Sequence, residues 1–134
     1  MPNNETYHVT IRRGDAPTFA ARVRNNAAAY ITQATVSSIK YTIYALTRSD
    51  PTARTAITAH TNVSVTVAST VFDTLQTGTV WGSKDTTGYN FAHQPSVAGS
   101  VFDKIGTDQY LVEYTLTPTT GQSIRIGFLV SVTV

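Results

Sequence analysis

Three histidines, His8, His60 and His93, are the only nitrogen ligands suited to a transition metal, and the chain has no cysteine. Tetrahedral zinc sites draw on closely spaced His and Cys pairs, and no His-x-His or His-Glu-x-x-His spacing occurs here. His8 stands beside Val9 in an alternating run, on the side away from it; His93, near Trp81 and Tyr89 in sequence, reads as a hydrogen-bonded structural histidine. Serine and threonine are abundant, but no Gly-x-Ser-x-Gly elbow presents a nucleophile. Hydrolysis of a glycosidic bond needs two carboxylates facing one another across a cleft. Glu5, Glu113 and six aspartates are available, and Glu113 sits between Val112 and Tyr114 where an outward, solvated carboxylate is the default. The eight glycines are scattered, so no loop cradles a phosphate. These residues imply no catalytic group, no metal and no cofactor, and the chain is not expected to be an enzyme.

Binding chemistry has more to work with. Sugars stack on exposed aromatic rings, and of seven Tyr, five Phe and one Trp most fall on the apolar side of alternating runs. Trp81 and Tyr89 are the exceptions and form a candidate glycan contact. Arg12, Arg13, Arg22 and Arg24 would form a basic strip if the two runs bearing them made one hairpin. They are a candidate assembly surface; without interleaved aromatics or a known motif, neither nucleic acid nor a small-molecule ligand is expected. Arg13-Gly14-Asp15 spells an integrin-recognition tripeptide, but between two strand-like runs it reads as a turn.

The elements that would position these residues are strands. Apolar residues alternate with polar ones at Tyr7–Ile11, Phe19–Val23, Val36–Leu46 and Val63–Val67, and again at 89–93, 109–117 and from Ser123 to the final Val134. Asp50-Pro51 breaks the long third run, and Pro118-Thr119-Thr120-Gly121 marks a hairpin turn. Thr70 followed by Asp73 resembles a helix start, so at most a short helical turn is expected near residues 70–76. About seven to eight short strands with regular turn signals make the expected fold class all-β, an immunoglobulin-like antiparallel β-sandwich, with a small barrel as the alternative.

At 134 residues the chain is expected to form a single domain spanning residues 1–134. Only 13% of residues are charged and 24 are threonine, which suits strands with hydroxyl-coated outer faces rather than helices or a disordered tail. Seven basic and three acidic residues in 1–67 give +4, whereas 68–134 carry −2, a polarity that could orient subunits or simply be solvated. No apolar run is long enough for a membrane-spanning helix, and the first residues show no signal peptide.

Tyr7-His-Val-Thr-Ile-Arg-Arg-Gly-Asp15 followed by Pro17-Thr-Phe-Ala-Ala-Arg-Val23 resembles the opening of immunoglobulin-like domains in tailed-phage virion proteins, such as the N-terminal domain of the baseplate upper protein. Trp81, the run Gly88–His93, Pro95 and Tyr110–Pro118 are similar to small phage or prophage structural proteins. The resemblance implies a non-enzymatic virion component of the head decoration, neck, tail or baseplate. Its partners would be other virion proteins and copies of itself, and it would reach the virion from the bacterial host cytoplasm. On this reading the last strand adds to a neighbouring sheet, making Phe128, Val130, Val132 and Val134 candidate assembly residues beside the four arginines. The alternative is a carbohydrate-binding or adhesive β-sandwich using Trp81 and Tyr89.

Overall fold

The computed structural model describes residues 4–12, 17–25, 28–47, 50–78, 81, 86–95 and 109–133. Nine strands run through them: β1 (Asn4–Arg12), β2 (Phe19–Ala21), β3 (Val36–Thr47), β4 (Asp50–Ala56), β5 (Val63–Val65), β6 (Val71–Gln76), β7 (Tyr89–His93), β8 (Gln109–Pro118) and β9 (Ile124–Thr133). A 3-10 turn (Thr58–His60) and a single turn of α-helix, α1 (Val67–Thr70), lie between them.

Alternation decides which face each strand buries. In β8, Tyr110, Val112, Tyr114 and Leu116 are buried while Leu111, Glu113 and Thr115 between them are only partly so. In β9, Ile124, Ile126, Phe128 and Val130 point inward, and in β3 Ile39, Tyr41 and Ile43 do the same. Each such side chain contributes about 1.5–3 kcal/mol when fully removed from water. The turn at Pro118–Gly121 joins β8 to β9, with Gly121 at φ +97°, a conformation that glycine adopts without a Cβ clash.

The strands form two sheets. The larger has the order β1-β9-β8-β3-β4, with β5 pairing β3 alongside β4; the smaller has the order β2-β7-β6. Phe19 and Ala21 of β2, Val71 of β6 and Phe91 of β7 meet the inner face of the larger sheet in one core. Phe19 lies 4.9 Å from Phe128 and Phe91 4.9 Å from Tyr114, ring centroid to centroid, so aromatic pairs bridge the layers. Two separate sheets around a shared core make a sandwich rather than a barrel. Setting β2, β6 and β7 opposite β3, β4, β8 and β9 is the partition of a variable-type immunoglobulin domain.

Four expectations change. First, the sheets are not wholly antiparallel: β1 pairs with β9 in parallel, from Asn4 opposite Arg125 to Arg12 opposite Thr133. Second, β1 and β2 belong to different sheets and make no hairpin. Third, Asp50-Pro51 opens β4 rather than ending the strand region, because an edge strand accepts a proline without losing a ladder bond. Fourth, the helical turn falls on Val67–Thr70, and residues 71–76 are strand β6. Asp73 makes no capping box: its carboxylate accepts the Gln33 N–H at 2.8 Å, a tertiary contact.

Candidate functional site

The interior holds a cluster of histidine and tyrosine. Tyr41 of β3 and Tyr114 of β8 stand opposite one another in register, with ring centroids 5.6 Å apart. His60, in the 3-10 turn beside β3, shares a 2.9 Å hydrogen bond between Nδ1 and the Tyr41 hydroxyl. His93, at the end of β7, shares one of 2.7 Å with the Tyr114 hydroxyl, and its ring lies 5.3 Å from that of Tyr41. Burial lowers both imidazoles below their ordinary pKa and raises both phenols, Tyr114 well above its usual range. Each group is thereby biased toward its neutral form. The arrangement satisfies buried polar atoms inside the sandwich. Among the described residues, no three His, Asp or Glu side chains converge on a point where a metal ion could sit.

The arginines do not form one strip. Arg12 is exposed at the end of β1 in the larger sheet, while Arg22 and Arg24 follow β2 in the smaller one. Arg22 is half-buried and donates from Nη1 to the Gly88 carbonyl at 3.2 Å. Arg24 lies 4.6 Å from the Tyr30 ring centre and donates to its hydroxyl at 3.0 Å. Arg13 and Val134 lie outside the described residues. Phe128 and Val130 are 1% and 0% exposed, so they are interior residues rather than an assembly surface, and Val132 is half-buried against the same core. β9 is no free edge either, because it runs between β1 and β8.

Trp81 and Tyr89, the candidate glycan contact, are interior residues as well: they are 6% and 8% exposed. Their ring centroids are 5.7 Å apart, Phe72 meets Tyr89 edge-on at 5.8 Å, and Ala20 and Ala92 pack beside them. They form a second, smaller core, so neither ring offers an open face to a sugar. Ala20 and Ala92 stand opposite one another in register, and two such small residues leave room for large rings.

What the larger sheet does expose is a patterned outer face. Ala56, Tyr44, Leu111, Leu129 and His8 stand in one transverse row across β4, β3, β8, β9 and β1. Tyr44, Leu111 and Leu129 are half-buried at its centre, and the Arg54 guanidinium covers the Tyr44 ring at 4.4 Å. Beside the row lies a shallow trough of about 360 Å³ lined by Lys40, Arg54, Arg125, Glu113 and hydroxyl side chains. Three cations against one carboxylate give it a positive potential. Periodicity placed these side chains outward, but only the cross-strand register shows the row. No protein-family model, curated protein or solved structure matches the chain.

Proposed function

We propose that this protein is a non-enzymatic building block of a bacteriophage virion, in the head decoration, neck or tail and baseplate, acting through protein–protein contacts. The observation that carries the assembly role is the outer face of the larger sheet. Half-buried Tyr44, Leu111 and Leu129 lie at its centre, with hydroxyl and cationic side chains around them. An apolar centre enriched in Tyr and Arg, rimmed by polar groups, is how protein interfaces are built. Threonine and serine hydroxyls cost less to desolvate than charges when a neighbour covers them. The excess of Lys40, Arg54 and Arg125 over Glu113 fits an acidic surface on that neighbour.

The virion setting rests on the resemblance of the Tyr7–Val23 and Trp81–Pro118 regions to phage structural proteins. The carbohydrate reading is weakened by the burial of both Trp81 and Tyr89. The test is mass spectrometry and immunogold electron microscopy of purified particles from the source phage. The wild-type chain is expected in the particle, and the double variant Leu111→Glu/Leu129→Glu is expected to fold but to be lost from it. Absence of the wild-type chain from particles, or unchanged incorporation of the folded double variant, overturns the proposal.

A further inference from the structure

We infer that the outer edge of β1 is a strand-addition site whose occupant is β1 of a second copy, paired antiparallel across a two-fold axis at Val9. This deepens the assembly role proposed above and rests on it; edge pairing is read from the purified chain alone, so the two can fail separately.

Strand edges attract other strands unless something blunts them, and short length, proline and bulges are the common devices. Among the described residues, every other outer edge carries one. β2 and β5 are three residues long. β4 contains Pro51, and its register against β3 shifts at Leu46/Thr47. β6 loses regular pairing with β7 between Val71 and Gln76. β1 has none of these: nine residues without proline or glycine hold an unbroken register against β9. Among the described residues, β9 is the only strand that pairs with it.

The inner face of this edge is also incompletely covered. Tyr7 and Val9 point into the sandwich and pack against its core, yet both remain half-exposed. The smaller sheet has three strands against six.

The sequence of β1 fits this register. With the axis at Val9, Tyr7 meets Ile11 of the second copy and Val9 meets Val9, so apolar residues pair with apolar residues on the inner face. On the outer face Thr6 meets Arg12 and His8 meets Thr10, so no like charges oppose. Antiparallel neighbours bring such side chains within contact distance. An axis perpendicular to the sheet keeps both inner faces on the same side, and closes the pair as an isologous dimer.

The test is sedimentation equilibrium on the purified full chain and its variants, with cysteine cross-linking beside it. Thr6 is exposed, so its substitution leaves the monomer core untouched. Thr6→Lys opposes Arg12 of the second copy twice and is expected to weaken the dimer at least tenfold. Thr6→Glu pairs with Arg12 twice and is expected to tighten it, with a salt-sensitive gain. Because the chain has no cysteine, Val9→Cys is expected to form a disulfide-linked dimer under mild oxidation, while the exposed control Ser38→Cys is not. A wild-type chain that stays monomeric at millimolar concentration overturns the inference, as does equal dimerisation of Thr6→Lys and Thr6→Glu. Self-association abolished by Leu111→Glu/Leu129→Glu and indifferent to residue 6 also overturns it, while leaving the assembly role standing. An edge dimer from a chain absent from virions removes the virion role alone.

Discussion

The side-chain amide of Asn90 stands in for the backbone of β7 as the hydrogen-bonding partner of Val23. The register of β2 with β7 ends at Ala21 opposite Phe91. Just beyond, the Val23 N–H donates to Asn90 Oδ1 at 2.7 Å, and Asn90 Nδ2 donates to the Val23 carbonyl at 3.0 Å. Nδ2 also reaches the Ile31 carbonyl at 3.4 Å. Asn90 is 1% exposed, so water cannot replace these bonds.

Asn90→Ala leaves the Val23 N–H buried without that acceptor, while the Val23 carbonyl keeps its bond from the Ile31 N–H at 3.2 Å. The expected loss is about 1–3 kcal/mol. Asn90→Asp keeps the acceptor but turns a carboxylate toward two carbonyl oxygens, so its destabilisation should grow as pH rises through the carboxyl range. Urea denaturation at two pH values measures both; a loss near zero for the alanine variant would show that the amide contributes nothing.

The histidine–tyrosine cluster sets a pH window. Burial lowers the pKa of His60 and His93, so below about 6.5 the unfolded chain takes up protons before the folded one does. Stability should therefore fall as pH drops below about 6.5. Burial raises Tyr41 and Tyr114, so above about 10 the unfolded chain loses protons first and stability should fall again. Between those limits these four groups add no slope. His93→Gln, which can still bond the Tyr114 hydroxyl, should flatten part of the acid limb. Melting temperatures from pH 5 to 11 give the test, and a flat profile between pH 7.5 and 5 contradicts it.

Trp81 is the only tryptophan, so its emission reports one environment. At 6% exposure it should resist acrylamide quenching in the native state and become accessible on unfolding. Trp81→Ala removes the largest ring of the second core and should cost about 3–5 kcal/mol. Native quenching equal to that of free tryptophan would place the ring on the surface and revive the sugar-binding reading.

Gly88 is required by its backbone. Its φ is +102°, and a Cβ there would run into the backbone carbonyl of Gln76. Its own carbonyl accepts the Arg22 guanidinium at 3.2 Å. Gly88→Ala combines left-handed strain with a backbone clash and should destabilise by about 2–4 kcal/mol. Gly78→Ala, where nothing lies within 4 Å of a new Cβ, carries only the strain of φ +137° and should lose less. Equal losses in thermal melts would remove the clash from the account.

Most of the strands could be read from the chain, and two could not, for separable reasons. β8 and β9 alternate so regularly that their inward residues follow from parity alone. β4 begins with Asp50-Pro51, a local breaker that only its place at a sheet edge makes harmless. In β6 the Thr70–Asp73 spacing suggests a helix start, but Asp73 bonds Gln33, forty residues earlier in the chain. The candidate surfaces were less legible than the strands. Parity alone makes Phe128, Val130 and Val132 one stripe, and its first two members lie in the core.

The sequence by itself determined where the main strands run and which residues of each turn inward, because side chains of a strand alternate whatever the partner. It also set the absence of thiol chemistry and the low overall charge. Only the tertiary structure decided which strands are neighbours. It sent β1 and β2 to different sheets, which separates Arg12 from Arg22 and Arg24. It enclosed the last strand between β1 and β8 and left the first at the edge. It folded Trp81 against Ala20 and Tyr89. These outcomes depend on pairing between residues far apart in the chain, to which a local period of two is blind.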